Sequence, residues 1–535
     1  MKKIILFPIY FLTIFFFITL FTQQSALAEI PLWDGKLLIN GFVKEVAYYR
    51  TGMTDRDKEY YSNDLAYLQT SGLLEALYTV KDDEDMTIRL FAGVKYWWQK
   101  ARYFDNEMDK TLDSHDRTQW ELPRDWDEDI LTEAYATVEK GPFEVRVGKQ
   151  IVVWGSLDLA QVTDVVNAPD FRRGYPGINT WEEIKQGAWM IRAFYQSELP
   201  GDLLFEGIFN PGDYHQIRLQ QEATWPGTSP YGVRRAGAIW AIDPTYPGAA
   251  RGIYSWLNQK WTRDEPGFNT SNWEAGFRIR GFTYGVDWTF IYWNALQDDF
   301  VQTTFGQDFS DFYFGWYDAS VSGANYPSQS IYPRIFDSKR YEMIGGTFER
   351  YCPEIWDTVW IMEWALDFGH PINKGTDGNG DAAYAVTERN ILDIGLKVQK
   401  ALNIPWFTQS SIATGRMLDV AITYQWDKVF SNDRDDVLGS RWHKRGDSVA
   451  DNITLWFKQD MFHNKIVLVF IGNYYFQIGR WQAIPSLGYS LPGKHWRIEG
   501  GYAMYGGKNS NHRNAQYINY STHNDAAFMR IRYEF

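Results

Sequence analysis

A polar run that follows Trp154 holds the densest chemistry in this sequence. Asp158, Asp164, Asn167 and Asp170 fall within it, and Arg146 and Gln150 stand just upstream. Carboxylates and amides at this spacing suit three tasks: ligating a hard cation, sharing a proton in acid–base work, or lining a polar passage. The first two need companions that the sequence does not supply. No His-Glu-x-x-His pair, Cys/His cluster or Gly-x-Ser-x-Gly elbow occurs, and the eight histidines are scattered. Arg146, Gln150, Trp154, Asp158, Asp164, Asn167 and Asp170 therefore read as the wall and body of a constriction in or over a lumen. The alternative is an external loop capping one strand.

Two other motifs carry less. Asp377, Asn379 and Asp381, with Glu388 beyond them, have the spacing of an EF-hand calcium loop. Ala382 occupies the position that needs Gly for the sharp turn, and a strand pattern follows, so only a weak non-EF calcium candidate is left. The stretch Gly488 to Lys494 fits a phosphate loop until His495, where the motif needs Ser or Thr. No metal site is assigned, and no cofactor is expected.

The elements that position these groups are strands. Phe143, Val145 and Val147 alternate with Glu144, Arg146 and Gly148, the period of two that a strand imposes. The alternation stops at Trp154-Gly155, and Pro169 cannot donate to a ladder. The same pattern recurs along the chain. Met86, Ile88, Leu90, Ala92, Val94, Tyr96 and Trp98 form one apolar face; Leu392, Ile394, Leu396 and Val398 oppose Asp393, Gly395, Lys397 and Gln399. The polar faces carry Arg89, Lys95, Arg278, Arg280, Glu363, Arg497, Glu499, Arg530 and Arg532, of mixed sign, together with Phe91, Trp97 and Trp456. Short turns interleave with long polar loops such as 100–128, 210–272, 294–339 and 369–387; the stretch 405–416 fits neither class.

Composition agrees with strands that face lipid. Mean hydropathy is −0.41, yet aromatics make up 17% of the chain, with 25 Trp and 34 Tyr. A membrane barrel uses aromatics at two interfacial girdles while its polar interior keeps mean hydropathy low. Lys2 and Lys3, the apolar run from Ile4 to Phe21 and Ala26-Leu27-Ala28 read as a secretory signal over residues 1–28, which implies Sec export; the length of the run leaves an uncleaved membrane anchor as the alternative. The single cysteine, Cys352, excludes an internal disulfide framework. A net charge of −14 with no basic stripe argues against nucleic acid as a partner. At the end of the chain Ala527, Met529, Ile531, Tyr533 and Phe535 alternate with Phe528, Arg530, Arg532 and Glu534.

The expected fold is all-β: a transmembrane antiparallel barrel over residues 29–535, with an even strand number of roughly 16–18. An irregular segment, about 155–185, is expected to fold into or over its lumen. Tyr533 and Phe535 resemble the terminal signal read by the outer-membrane barrel assembly machinery. Arg146-Val147-Gly148-Lys149-Gln150, then Trp154-Gly155, then Asp164 to Asp170 resembles the signature of a Gram-negative outer-membrane barrel family filed as a domain of unknown function. Ala168 splits that family's usual Asn-Pro pair, and Ser156 replaces its frequent Glu after Trp-Gly. The resemblance also reaches the strand around Glu363. It implies residence among outer-membrane lipid and lipopolysaccharide, with a periplasmic lipoprotein and a resistance-nodulation-division exporter of the inner membrane as partners. The expected function is a non-enzymatic channel or conduit for a hydrophobic or amphipathic solute. The alternatives are a surface-binding protein with acidic, aromatic loops on a barrel anchor, and a hydrolase built at the rim.

Overall fold

A strand with one apolar and one polar face is stable in a membrane only when every ladder group is paired and no edge is left over. In the computed structural model this condition is met by closure. The residues described are 30–51, 65–101, 120–121, 130–157, 162–169, 181–215, 269–297, 301–302, 336–337, 339–374, 385–413, 416–433, 436–437, 448–477, 479–491, 495–507 and 525–535. The signal at 1–28, together with Asp158, Asp170, Asp377, Asn379 and Asp381, lies outside them.

Eighteen antiparallel strands form one closed barrel. The first six are β1 (Leu37–Arg50), β2 (Leu65–Asp82), β3 (Thr87–Ala101), β4 (Leu131–Lys140), β5 (Phe143–Gln150) and β6 (Ala188–Gln196). Next come β7 (Leu204–Asn210), β8 (Glu274–Thr283), β9 (Val286–Leu296), β10 (Arg340–Cys352), β11 (Thr358–Lys374) and β12 (Ala385–Leu402). The ring is completed by β13 (Leu418–Val429), β14 (Val449–Met461), β15 (Ile466–Tyr475), β16 (Arg480–Ser490), β17 (Trp496–Gly507) and β18 (Ala526–Glu534). Each strand pairs with its neighbours in sequence, and β18 returns to β1 in register from Phe42↔Glu534 to Arg50↔Ala526. Gly41 and Phe535 exchange both backbone hydrogen bonds at 3.0 Å, which seals the seam at its turn-side end.

The outward face is apolar. Val147, Ile191, Phe209, Phe277, Phe348 and Leu487 are left uncovered by protein, at strand positions opposite the polar face. Aromatics ring both ends, with Trp33, Tyr284, Trp356 and Trp406 on the turn side and Tyr49, Trp273, Phe430 and Trp481 on the loop side. That two-girdle distribution suits the interfacial zones of a bilayer.

Three connections differ from the simple reading. β11 and β12 extend beyond their mid-membrane part, to Lys374 and from Ala385, so the loop expected over 369–387 is shorter, and Glu388 lies in β12 opposite Pro371. The stretch 405–416 begins with a one-turn helix, Pro405–Thr408, inside a turn-side connection. A loop-side connection, 476–479, is as short as a turn. The alternation of short and long connections is therefore not strict. Cys352 is a free, buried residue at the end of β10.

The seam offers a paired test of this architecture. A Cβ at Gly41 would meet Leu73 O at 2.2 Å and the Phe535 ring at 3.0 Å, whereas one at Gly207 meets nothing within 4 Å. Gly41→Val is expected to weaken the barrel by roughly 1–3 kcal/mol through overpacking. Gly207→Val should be neutral. The unfolding temperature of each variant, read as the loss of heat-modifiable migration in detergent gels, checks this.

Candidate functional site

After Gln150 the chain leaves the ladder and does not return until Ala188. The described parts of this connection, 151–157, 162–169 and 181–187, lie against the inner face of the wall. Val152, Trp154, Leu157, Val162 and Val166 form one buried cluster with inward residues of β6, β7, β9, β10 and β11, among them Met190, Ile208, Ile291, Trp293, Met343 and Ile361. Trp154 meets Trp293 edge-on, with ring centroids 5.5 Å apart, and its indole N–H donates to Glu206 at 3.2 Å. Burying side chains of this size contributes about 1.5–3 kcal/mol each. The segment is thus held by a small core of its own inside the barrel.

Irregular backbone buried against the wall at that depth needs protein partners for its polar groups. Side chains supply the partners. Glu363 of β11, fully buried, accepts the backbone N–H of Ser156, of Leu157 at 2.8 Å and of Thr163 at 3.3 Å, and the Thr163 hydroxyl at 3.1 Å. A carboxylate has acceptor sites for about four such donors, and this one uses them all. Asn167 is the second organiser: its Oδ1 accepts from Val152 N at 2.6 Å, and its Nδ2 donates to Gln150 O at 3.1 Å and Gln186 O at 2.7 Å. Asp164 accepts from Trp154 N at 3.3 Å and pairs at 2.5 Å with buried Lys185, which also donates to Val152 O. Ile151 N donates to Glu133 of β4 at 2.9 Å.

Two glycines permit the fit. A Cβ on Gly155 would sit 3.0 Å from Asp164 and 3.4 Å from both Glu363 oxygens. On the wall, a Cβ at Gly395 of β12 would fall 2.3 Å from the Leu157 side chain. Glu363 lies nearer the turn-side than the loop-side end of β11, so the segment descends well into the barrel.

The far end of the segment reaches the opposite wall. Glu183, in the one-turn helix Trp181–Ile184, pairs with Lys44 of β1 at 2.7 Å and Arg532 of β18 at 3.2 Å, and its carbonyl accepts from Lys95 of β3. In the ring β11 stands nearly opposite the β1–β18 seam, so the described parts of this connection have contacts on two far-apart stretches of the wall, at Glu363 and at Glu183.

Of the residues singled out in the sequence, Gln150, Trp154, Asp164 and Asn167 meet within this segment. Arg146 does not join them. It lies on the inner wall of β5, paired with Glu144 at 2.5 Å and flanked by the rings of Tyr135 and Phe194 at 5.6 and 5.4 Å. Glu206, Lys185, Glu183 and Glu133 were not singled out, and Glu363 only as an inward residue on a strand that the resemblance reaches. A carboxylate alone on a strand as apolar as Trp360 to Leu366 was the one signal available for it. At the loop-side rim, burial pushes the Asp213 carboxyl up, but the His215 side chain, the Trp189 N–H at 2.7 Å and nearby Lys149 outweigh it and hold it below the usual range. Among the described residues no group of three or more His, Cys, Asp or Glu side chains is placed to hold a metal ion.

No family model matches the chain, and no curated protein matches it. Among solved structures it is similar to Acinetobacter baumannii OccAB4, at 11% identity and TM-score 0.47 over 94% of this chain and 98% of that one. It is also similar to Pseudomonas aeruginosa OccK5 (OpdH), at 8% and 0.41 over 94% and 97%. A third is Salmonella typhi OmpF in complex with daunomycin, at 12% and 0.40 over 95% and 100%. None of these likenesses reaches individual residues.

Removing the Glu363 carboxylate leaves three N–H groups without this acceptor, two of them buried, at about 1–3 kcal/mol for each buried one. Glu363→Ala should therefore release the segment locally. Amide hydrogen exchange over 155–163 is expected to rise by at least a hundredfold while strands β14 to β17 keep their protection. Equal protection in the variant would show that Glu363 does not anchor the segment.

Proposed function

We propose that the protein is an outer-membrane channel whose lumen is constricted by residues 151–187, and that it passes a hydrophobic or amphipathic solute. The observation that carries this reading is the segment itself, whose described parts pack in one buried cluster with the inner wall and donate backbone N–H groups to buried side chains inside a closed barrel with an apolar outer belt. A wide barrel without such a filling would leak small solutes across the membrane. Solute class follows from the inner wall. Charged groups there are largely paired, as Arg192 and Arg278 are with Glu206 at 2.5 and 2.8 Å and Arg280 with Asp287 at 2.6 Å. Between them stand aromatic surfaces such as Phe91 stacked on Tyr135 at 5.0 Å. Paired charges with interleaved rings favour a solute with an apolar body over a bare ion.

The wider setting belongs to the same proposal. Tyr533 and Phe535 are read by the barrel assembly machinery, and a periplasmic lipoprotein and an inner-membrane exporter act with the channel, as the resemblance at Arg146 to Asp170 implies. No step of this function calls for a cofactor.

Single-channel recording in planar bilayers tests the constriction. Deletion of 156–177 is expected to raise unitary conductance several-fold without changing the heat-modifiable migration of the barrel. An unchanged conductance in a folded deletion variant would remove the constriction reading.

A further inference from the structure

Glu183 contacts a feature of the wall that the constriction alone does not require. Arg497 of β17, Arg532 of β18 and Lys44 of β1 are directly opposite one another across the closing ladders, Arg497↔Arg532 and Lys44↔Arg532. Adjacent strands stand about 4.8 Å apart, and like charges placed directly opposite are destabilising. Three cations thus form one row on the inner face of the seam, with Arg530 one step along β18. Among the described residues the carboxylates that face them are few. Glu499 takes Arg530 at 2.5 Å and reaches Arg497 at 3.5 Å; Glu534, at the turn-side rim, takes Arg532 at 2.8 Å. The remaining one is Glu183, which the wall does not supply.

We infer that this row is a binding site for the anionic headgroup of an amphiphile, a carboxylate or a phosphate, and that Glu183 is its built-in occupant. The inference rests on the channel reading and names the solute class for that same lumen. The geometry is that of a ligand contact: one carboxylate divides its two oxygens between Lys44 at 2.7 Å and Arg532 at 3.2 Å. Lys44 is only 2% exposed beneath it. Arg497, the third member of the row, is 40% exposed, with its guanidinium 3.5 Å from Glu499. A cation already in the lumen therefore extends the site beyond what Glu183 covers. Apolar surface adjoins it: the Phe42 ring lies 4.0 Å from the Arg532 guanidinium, and Val46 and Phe528 are buried on the same wall. An arriving headgroup exchanges with Glu183 on the same cations. No bond is made or broken; the exchange frees this end of the segment while Glu363 holds the other.

An internal occupant lowers apparent affinity by the fraction of time it fills the site. The full-length barrel in neutral detergent is titrated with dodecanoate, dodecyl phosphate and, as the uncharged control, dodecanol, with binding read by calorimetry. Glu183→Gln is expected to bind dodecanoate about tenfold more tightly than the unaltered protein, with dodecanol unchanged. Arg497→Gln leaves the Glu183 contacts in place and is expected to weaken dodecanoate severalfold, again with dodecanol unchanged. Dodecyl phosphate following dodecanoate assigns the site to both headgroups; following dodecanol, it narrows the site to carboxylates. Dodecanoate affinity unchanged or weaker in a folded Glu183→Gln barrel overturns the site, as does an unaltered affinity in Arg497→Gln. Because these readings need no conduction, failure of the site and failure of the channel are separable.

Discussion

Everything inside this barrel depends on one constraint. Backbone that leaves the ladder within a membrane cannot face lipid, and where it is packed against the inner wall its N–H and C=O groups need protein partners. Glu363 meets that need for the deepest part of the segment by accepting three backbone N–H groups and one hydroxyl on a single buried carboxylate. Charge burial of this kind is tolerated where hydrogen bonds saturate the ion. The segment's descent, the small residues that receive it and the position of its far end all follow from that arrangement.

The wall is shaped to match. Gly395 leaves the space that Leu157 fills, and Gly155 lets Glu363 approach the backbone closely. Trp154 binds the segment to β7 through Glu206 and to β9 through Trp293. At the other end the match is electrostatic, because Glu183 meets a row of cations that the strand register has brought together. The segment therefore has a dry, apolar end on β11 and a charged end on the seam. Local opening is expected to differ between the two: a packed end yields only with loss of its core, whereas an ion-paired end exchanges with competing anions.

Legibility in the sequence followed range. The strand at Phe143, the faces of β3, β11 and β12 and the terminal alternation at Ala527 to Phe535 were readable because side-chain direction in a strand repeats every two residues. Inward and outward sets could be assigned from neighbours alone. The contacts of the segment were not readable, since Ser156 and Glu363 are 207 residues apart and Lys44 and Glu183 are 139 apart. No local pattern specifies which carboxylate meets which backbone. Arg146 illustrates the same limit from the other side: its proximity in sequence to Trp154 suggested a shared site, yet β5 carries it along the wall to Glu144, Tyr135 and Phe194.

The sequence by itself determined that this is a chain of amphipathic strands with an apolar outer face, two aromatic belts and one polar interruption after Trp154. Those are properties of period, composition and the absence of a donor at Pro169. Only the tertiary structure decided that eighteen strands close the ring, that the described parts of the interruption pack on its inner wall, and that Glu363 and Glu183 make their contacts with it. The pairing of β17 with β18 sets Arg497 beside Arg532, and closure adds Lys44 from β1. That last neighbour does not exist until the chain has returned upon itself.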